Sequence, residues 1–305
     1  MSDPPKTNPF VARRRLGTEL RELRTRADIS IEQAAGALEC SVSKISRLET
    51  GLGVPRARDV RDLIRLIGGE AVVRREELLT LADAGRAQPW YQEYSDLLDP
   101  TLRRFFDLES GASEELVYGG AWVPGLLQTP GYAEALFQSL TPDLPASEVE
   151  RQVRLRMGRK RMLDATLETP LQLTAIVDES VLRRSVGGPT VMREQLEVFL
   201  RAVEDPFDHI ELYLFPFSAG MHPILAGDLT ILRFDDAEDV VLSERHTAQQ
   251  WEERPDAVDE AVHIFASALN VATRGAELID QLERLIEELR HVESRPDQAV
   301  EVPRG

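Results

Sequence analysis

The sequence predicts a mainly α fold with an α+β component: a five-helix N-terminal domain, then a mixed α/β domain with a small sheet and long C-terminal helices. Three observations carry this. From Phe10 to Gly85, apolar residues recur at helical spacing between capping residues and glycines. Between residues 171 and 243 lie four short apolar runs of strand length, with a helical pattern between the first two. From Asp256 to Val292 the periodicity is helical throughout, with a break near Gly275.

The elements follow in order. Residues 11–26 carry Leu16, Leu20 and Leu23 on one face, with Arg13, Arg14, Arg21 and Arg24 between them. Ser30 is placed to cap a helix over 31–38, and Ser41 one over 42–50 that stops at Gly51. Pro55 precedes a helix over 56–67, ended by Gly68 and Gly69, and a further helix covers 75–84. Gln88-Pro89-Trp90-Tyr91 reads as a joint between domains. Beyond it come a strand over 116–123, helices over 130–140 and 146–167, strands over 171–177, 210–215, 229–234 and 240–243, and a helix over 191–203. The polar run 235–239 reads as a hairpin turn between the last two strands. The expected domains are 1–88, 89–293 and a polar tail, 294–305, expected to be disordered.

Charge is divided unevenly along the 305 residues. The first 88 hold 16 Lys and Arg against 13 Asp and Glu; the rest hold 20 against 40, within a net charge of −17. A mildly basic head can approach phosphate while an acidic body is held off it. The single cysteine, Cys40, excludes an internal disulfide and a multi-cysteine metal site. No run approaches 18 apolar residues, and the polar, proline-containing start lacks the apolar core of a secretory signal. A cytoplasmic protein with no membrane partner is expected. No nucleophile elbow, phosphate-binding glycine loop or helical pair of metal-binding histidines is present, so the sequence predicts neither an enzyme nor a cofactor or metal site. Glu244, His222 and His246 have spacings that match no metal-ligand signature.

Residues 31–49 fit two helices joined by a tight turn. Ala35 is small where two crossing helices must approach. Leu38, Cys40, Ile45 and Leu48 form an apolar face, and Ser43, Lys44, Ser46 and Arg47 fall between those anchors. A buried face that docks a helix and a polar face that meets a groove are what DNA reading requires. Ser41 and the free N–H groups beside it suit a phosphate.

Residues 30–51, SIEQAAGALECSVSKISRLETG, resemble the helix-turn-helix of XRE/Cro-type transcriptional regulators. The resemblance implies a five-helix helix-turn-helix domain that binds double-stranded DNA as a homodimer. It implies that Val42, Ser43 and Lys44 face base edges or nearby phosphates, that Ser46 and Arg47 hold the backbone, and that Arg14, Ser30 and Arg56 add phosphate contacts. The sequence departs from the family where glutamine is common, at Ile31 and Val42, and where glycine is common, at Glu39. Valine reads a base edge only by apolar contact, for instance with a thymine methyl. A left-handed backbone at Glu39 costs about 1 kcal/mol without glycine.

A second set of segments lies further on: WVPGLLQTPGYA at 122–133, RMGRKR at 156–161, DESVLR at 178–183, Gly187-Gly188, Met192 with Gln195-Leu196, and FPFSAGMH at 215–222. Together they resemble the C-terminal domain of actinobacterial XRE-type regulators described as Scr1-family and antitoxin-like. That resemblance implies a DNA affinity modulated by a small protein from a neighbouring gene; the alternative is a small-molecule sensor. Two readings stand for the 122–133 corner. It is either packed core, or a ligand or partner groove lined by Trp122, Leu127 and Tyr132 with Gln128 as the polar group. Arg156 and Arg159 share a helix face and suit a carboxylate, either Glu179 or a ligand's. His222 completes the candidates. Leu278, Leu282, Leu285 and Leu289 form a stripe that suits either a dimer interface or packing within the domain.

Overall fold

A computed structural model describes residues 9–167, 169–204, 209–235, 238–245 and 248–294, without the side chains of 244, 245, 248 and 249. The chain divides into two compact units, Met1–Ala112 with Phe234–Ala237, and Ser113–Arg233 with Glu238–Gly305. The expected domain boundary at 88 therefore falls inside the first unit.

That unit is helical: α1 (Pro9–Arg26), α2 (Ile31–Ala37), α3 (Val42–Glu49), α4 (Ala57–Ile67), α5 (Gly69–Val73), α6 (Arg75–Ala84) and α7 (Pro100–Glu109). The stripe of α1 closes a core in which Ala12, Leu16, Leu20, Ile45, Val60, Leu63 and Leu78 are almost wholly buried. Each leucine or isoleucine placed there contributes about 1.5–3 kcal/mol of transfer free energy. Sequence reasoning missed α5 and α7. Gly68 and Gly69 do end α4, but the chain resumes a helix at once. The start of α7 carried a readable signal: Asp99 accepts from the N–H groups of Thr101 (2.8 Å) and Leu102 (2.9 Å), and Pro100 occupies the first turn.

Trp90 and Tyr91 do not form a joint. Both rings lie 5.6 Å from that of Phe106 on α7. Trp90 Nε1 donates to Ser110 Oγ at 3.1 Å, and the Tyr91 hydroxyl donates to Asp107. Aromatic burial outweighs the turn propensity of Pro89 and carries the unit on to Ala112.

The second unit is built on one sheet: β1 (Glu114–Gly119), β2 (Gln172–Asp178), β3 (Ile210–Phe215), β4 (Asp228–Arg233), β5 (Val240–Arg245) and β6 (Ala248–Glu252), in the order β3-β2-β1-β4-β5-β6. β1, β2 and β3 pair in parallel; the other pairings are antiparallel. Helices α8 (Pro130–Leu140) and α9 (Ala146–Gly158) cross from β1 to β2. Helices α10 (Glu179–Arg183) and α11 (Pro189–Glu204) cross from β2 to β3, and α12 (Pro255–Leu269) and α13 (Ala276–Glu293) follow the sheet. One face of the sheet, with Leu116, Ile176, Tyr213, Phe215, Ile231 and Val241, packs on Val258, Ala261 and Phe265 of α12. The alternating residues Val117, Ala175, Val177, Leu212 and Leu214 are buried as well, so both faces are covered, as parallel strands require. Backbone hydrogen bonds between Leu214 and Thr273 (2.9 and 2.8 Å) shield part of the β3 edge.

The hairpin of β4 and β5 forms as expected; β6, with Gln249 and Gln250, lacked the apolar signature of a strand. The 146–167 helix is shorter than expected and gives way to a tight 3-10 turn over Arg159–Leu163. The α13 stripe is spent inside the unit. Leu278, Leu282 and Leu285 are buried, α13 packs on α11, and Arg193 of α11 pairs with Glu293 at 3.1 Å. It is not a free dimer interface. The tail beyond Ser294 lies outside the described residues.

Candidate nucleic-acid interface

Local sequence sets the two helices. Ser30 and Gln33 form a capping box: Ser30 Oγ accepts from Gln33 N (3.2 Å), and Ser30 N donates to Gln33 Oε1 (2.7 Å). Ser41 caps α3 by accepting from Lys44 N at 3.2 Å. The turn between them bends at Glu39, whose φ of 50° is the left-handed conformation the sequence demanded without supplying glycine. Ala34 and Ala35 are buried where α2 meets its neighbours.

On α3, Ile45, Leu48 and Glu49 face inward, whereas Ser43, Lys44 and Arg47 are exposed and Val42 is 41% exposed. A buried ion pair sets the angle of the helix. Arg24 Nε and Nη2 reach the two oxygens of Glu49 at 2.6 and 2.9 Å, and Arg24 Nη1 donates to Ile29 O at 2.6 Å. This fork fixes both orientation and register, and the carboxylate holds the guanidinium above its ordinary range. A close approach completes the anchor: a Cβ on Gly17 would lie 2.5 Å from Glu49 O and 2.7 Å from Leu48 O, so α1 can meet the end of α3 only without a side chain there. Sequence reasoning overlooked Arg24 and Glu49. The signal was a charge at a core-facing position on each helix, Arg24 four residues after Leu20 and Glu49 four after Ile45.

Ser41, Ser43, Lys44, Arg47 and Arg56 come together around a groove of about 410 Å³ between α3 and the start of α4, with Asp59 as its carboxylate. Gly53 N donates to Arg47 O at 2.8 Å, which folds the connecting loop back on α3. Lys44 Nζ lies 2.7 Å from Asp59 Oδ2. Ser46 is half-buried, and its carbonyl accepts from the Thr50 hydroxyl at 2.8 Å. Ser30 is exposed at the N-cap of α2. Arg14 departs from expectation. Its guanidinium lies over the Phe234 ring, 4.4 Å from the centroid, held by a cation–π contact within the first unit.

The candidates in the second unit behave differently. Leu127, Gln128 and Tyr132 are buried. Gln128 Nε2 donates to Val123 O (2.8 Å), its Oε1 accepts from Arg156 Nη1 (3.0 Å), and the Tyr132 hydroxyl accepts from Val123 N (3.3 Å). Gln195 of α11, which the sequence marked only as part of the second resemblance, is fully buried, accepts from Thr129 N (2.7 Å) and donates to Leu127 O (2.8 Å). The corner is packed core with its polar groups mutually satisfied, and of its four candidates Trp122 alone is half-buried. Burial raises the Tyr132 hydroxyl above its ordinary range.

Glu179 does not meet Arg156 or Arg159. It takes Arg183, four residues on, at 2.8 Å and the N–H of Phe217 at 2.9 Å. Arg156 lies over the Phe137 ring (5.1 Å), and Arg159 is buried beneath Gly125. His222 caps a short 3-10 turn. Its Nδ1 accepts from Ile224 N (3.1 Å), so a neutral ring carries its proton on Nε2 and donates to Ser267 Oγ (3.0 Å). His246 and the side chain of Glu244 lie outside the described residues. Among the described residues, no group of three His, Cys, Asp or Glu is placed to hold a metal ion, and no helix is long and apolar enough to cross a membrane.

Comparison with known proteins finds two matching families. Residues 15–78 match a family model described as a helix-turn-helix domain. Residues 102–284, more than half of the chain, match one described as a domain of unknown function (DUF5753). No curated protein and no solved structure matches the chain. With an anchored, outward-facing α3 inside the first match, the chain is a DNA-binding regulator of the helix-turn-helix kind, and by the second match it belongs to the DUF5753 family.

Proposed function

We propose that this protein is a sequence-specific transcriptional regulator of the XRE type, cytoplasmic and nucleoid-associated, that reads its operator as a homodimer. The observation that carries the reading is the geometry of α3: an outward row of Val42, Ser43, Lys44 and Arg47 on a helix locked by the Arg24–Glu49 fork. One such helix covers one half-site, which is why a dimer is proposed. The C-terminal domain acts by binding rather than by catalysis, as an antitoxin-like input through which a small protein from a neighbouring gene sets DNA affinity. Its support is the resemblance of the 122–222 segments and the acidic balance of residues 89–305. The test is co-purification of the chain with that neighbour-encoded protein, followed by DNA-binding titrations of chain and complex. A pair that neither co-elutes nor changes DNA affinity overturns the partner reading.

A second reading, a small-molecule sensor, is favoured by one observation. A half-open cleft of about 320 Å³ lies between α12 and strands β4 to β6, with Asp228, Arg254 and Glu260 among its polar groups. Its size is at the lower end of ligand pockets. A metabolite that raises the melting temperature and shifts DNA affinity would support it, because a ligand acts only through differential affinity for two states. Saturating screens with no shift would count against it.

A further inference from the structure

The groove beside α3 holds an asymmetry that DNA binding alone does not explain. Of its three cations, Arg47 and Arg56 are exposed and make no ion pair among the described residues, whereas Lys44 is tied to Asp59 of α4 at 2.7 Å. The two partners are unequally covered: the lysine side chain keeps 43% of its surface, the aspartate only 20%. Asp59 stands in the first turn of α4, where its charge also favours the N-terminal end of the helix dipole, so it keeps a favourable interaction when Lys44 leaves it. The ammonium is therefore the more accessible partner and the carboxylate the more covered one.

Resting on the DNA-binding reading, we propose that Asp59 is a specificity-determining residue that occupies Lys44 in place of a phosphate and thereby weakens binding to DNA of arbitrary sequence. Contacts to phosphate supply essentially all non-specific affinity, and their strength follows the net charge delivered to the backbone. Lys44 and Asp59 together deliver none. On a poorly fitting duplex the pair stays closed, and only Arg47 and Arg56 engage. On the operator, the base-edge contacts from the start of α3 hold the helix close enough for phosphate to compete for the ammonium. The carboxylate therefore taxes every duplex, and the operator alone compensates.

The test uses the full-length protein and a short fluorescein-labelled duplex of arbitrary sequence, titrated by anisotropy between about 50 and 200 mM salt. Asp59→Asn keeps the shape of the side chain and removes its charge. It is expected to bind about three- to tenfold more tightly at the low-salt end, with a log–log salt slope steeper by about 0.9. Asp62→Asn removes the same charge from α4 outside the groove and is expected to leave binding unchanged. In a Lys44→Ala background, the gain from Asp59→Asn should shrink. Binding by Asp59→Asn that is equal to or weaker than wild type overturns the proposal. So does a gain of the same size without Lys44, or one matched by Asp62→Asn, since either would make the effect one of general charge. Failure of the underlying reading looks different: Arg47→Ala would then bind as wild type does, or no variant would bind at all, and the proposal would fall with it.

Discussion

Replacing Glu49 by glutamine tests the anchor of the recognition helix. The substitution keeps volume and shape and removes one charge from a pair whose side chains are only 10% (Arg24) and 4% (Glu49) exposed. Arg24 would keep its bond to Ile29 O at 2.6 Å but lose the carboxylate that neutralises it and accepts from Nε and Nη2. Removing one partner of a buried pair leaves an uncompensated charge and costs about 3–5 kcal/mol. The remaining carbonyl bond and the amide oxygen of glutamine retain part of this, so about 3 kcal/mol is expected, a large share of a typical domain stability of about 5–15 kcal/mol. Urea unfolding of the full chain in a Trp122→Phe/Trp251→Phe background, which leaves Trp90 of the first unit as the tryptophan fluorophore, reads it as a lower midpoint. The double variant Arg24→Met/Glu49→Leu, which fills the space with apolar atoms, should return to within about 1 kcal/mol of wild type. An unchanged midpoint for Glu49→Gln would refute the anchoring role, and a double variant no better than the single would show that shape rather than charge holds the helix.

Gly17→Ala drives a methyl to within 2.5 Å of a backbone carbonyl and should cost about 1–3 kcal/mol in the same assay, together with DNA affinity, because α3 must shift. Glu39→Gly relieves the left-handed turn at φ 50° and should stabilise by about 0.5–1 kcal/mol, read as a higher urea midpoint; a loss would mean that the glutamate side chain contributes to the turn. Asp107 gives a pH signature. Burial raises its folded carboxyl above the ordinary 3.8, partly offset by the hydrogen bond from Tyr91. The folded state therefore binds the proton more tightly. Its contribution to stability is fully present below 3.8 and is lost as pH rises through the raised value. Unfolding midpoints of wild type and Asp107→Asn, compared across acid pH, should diverge in favour of the variant over that interval, and parallel curves would contradict the burial of the carboxyl.

What the sequence made legible was local. Ser30, Ser41 and Gly51 mark helix ends by their own chemistry, and Glu39 announced a strained turn, because each of these effects acts within a few residues. What it hid was tertiary. The Arg24–Glu49 fork joins residues 25 apart. Arg14, which the family resemblance put among the phosphate contacts, is turned onto Phe234 by a ring supplied from a distant segment. Gln88 to Tyr91 carried proline and polar residues typical of a linker, yet the Trp90 and Tyr91 rings pack on α7, an element whose own cap went unread. In the second unit, the aromatic and amide residues of the 122–133 corner suited a packed core first and a groove as the alternative. Gln195, arriving from α11, decides for the core by satisfying the corner's backbone groups. Sequence patterns report how a segment meets its immediate neighbours; which distant side chain closes the contact is settled only by packing.

The central claim, that the outward face of α3 reads DNA, is tested most directly by genome-wide DNA capture with the wild-type chain and with Lys44→Ala/Arg47→Ala. A small set of sharp sites, with paired half-sites about 10 base pairs or a multiple apart, lost in the variant, is the expected result. The same sites recovered by both proteins would place DNA reading elsewhere on the chain and contradict the role assigned to α3.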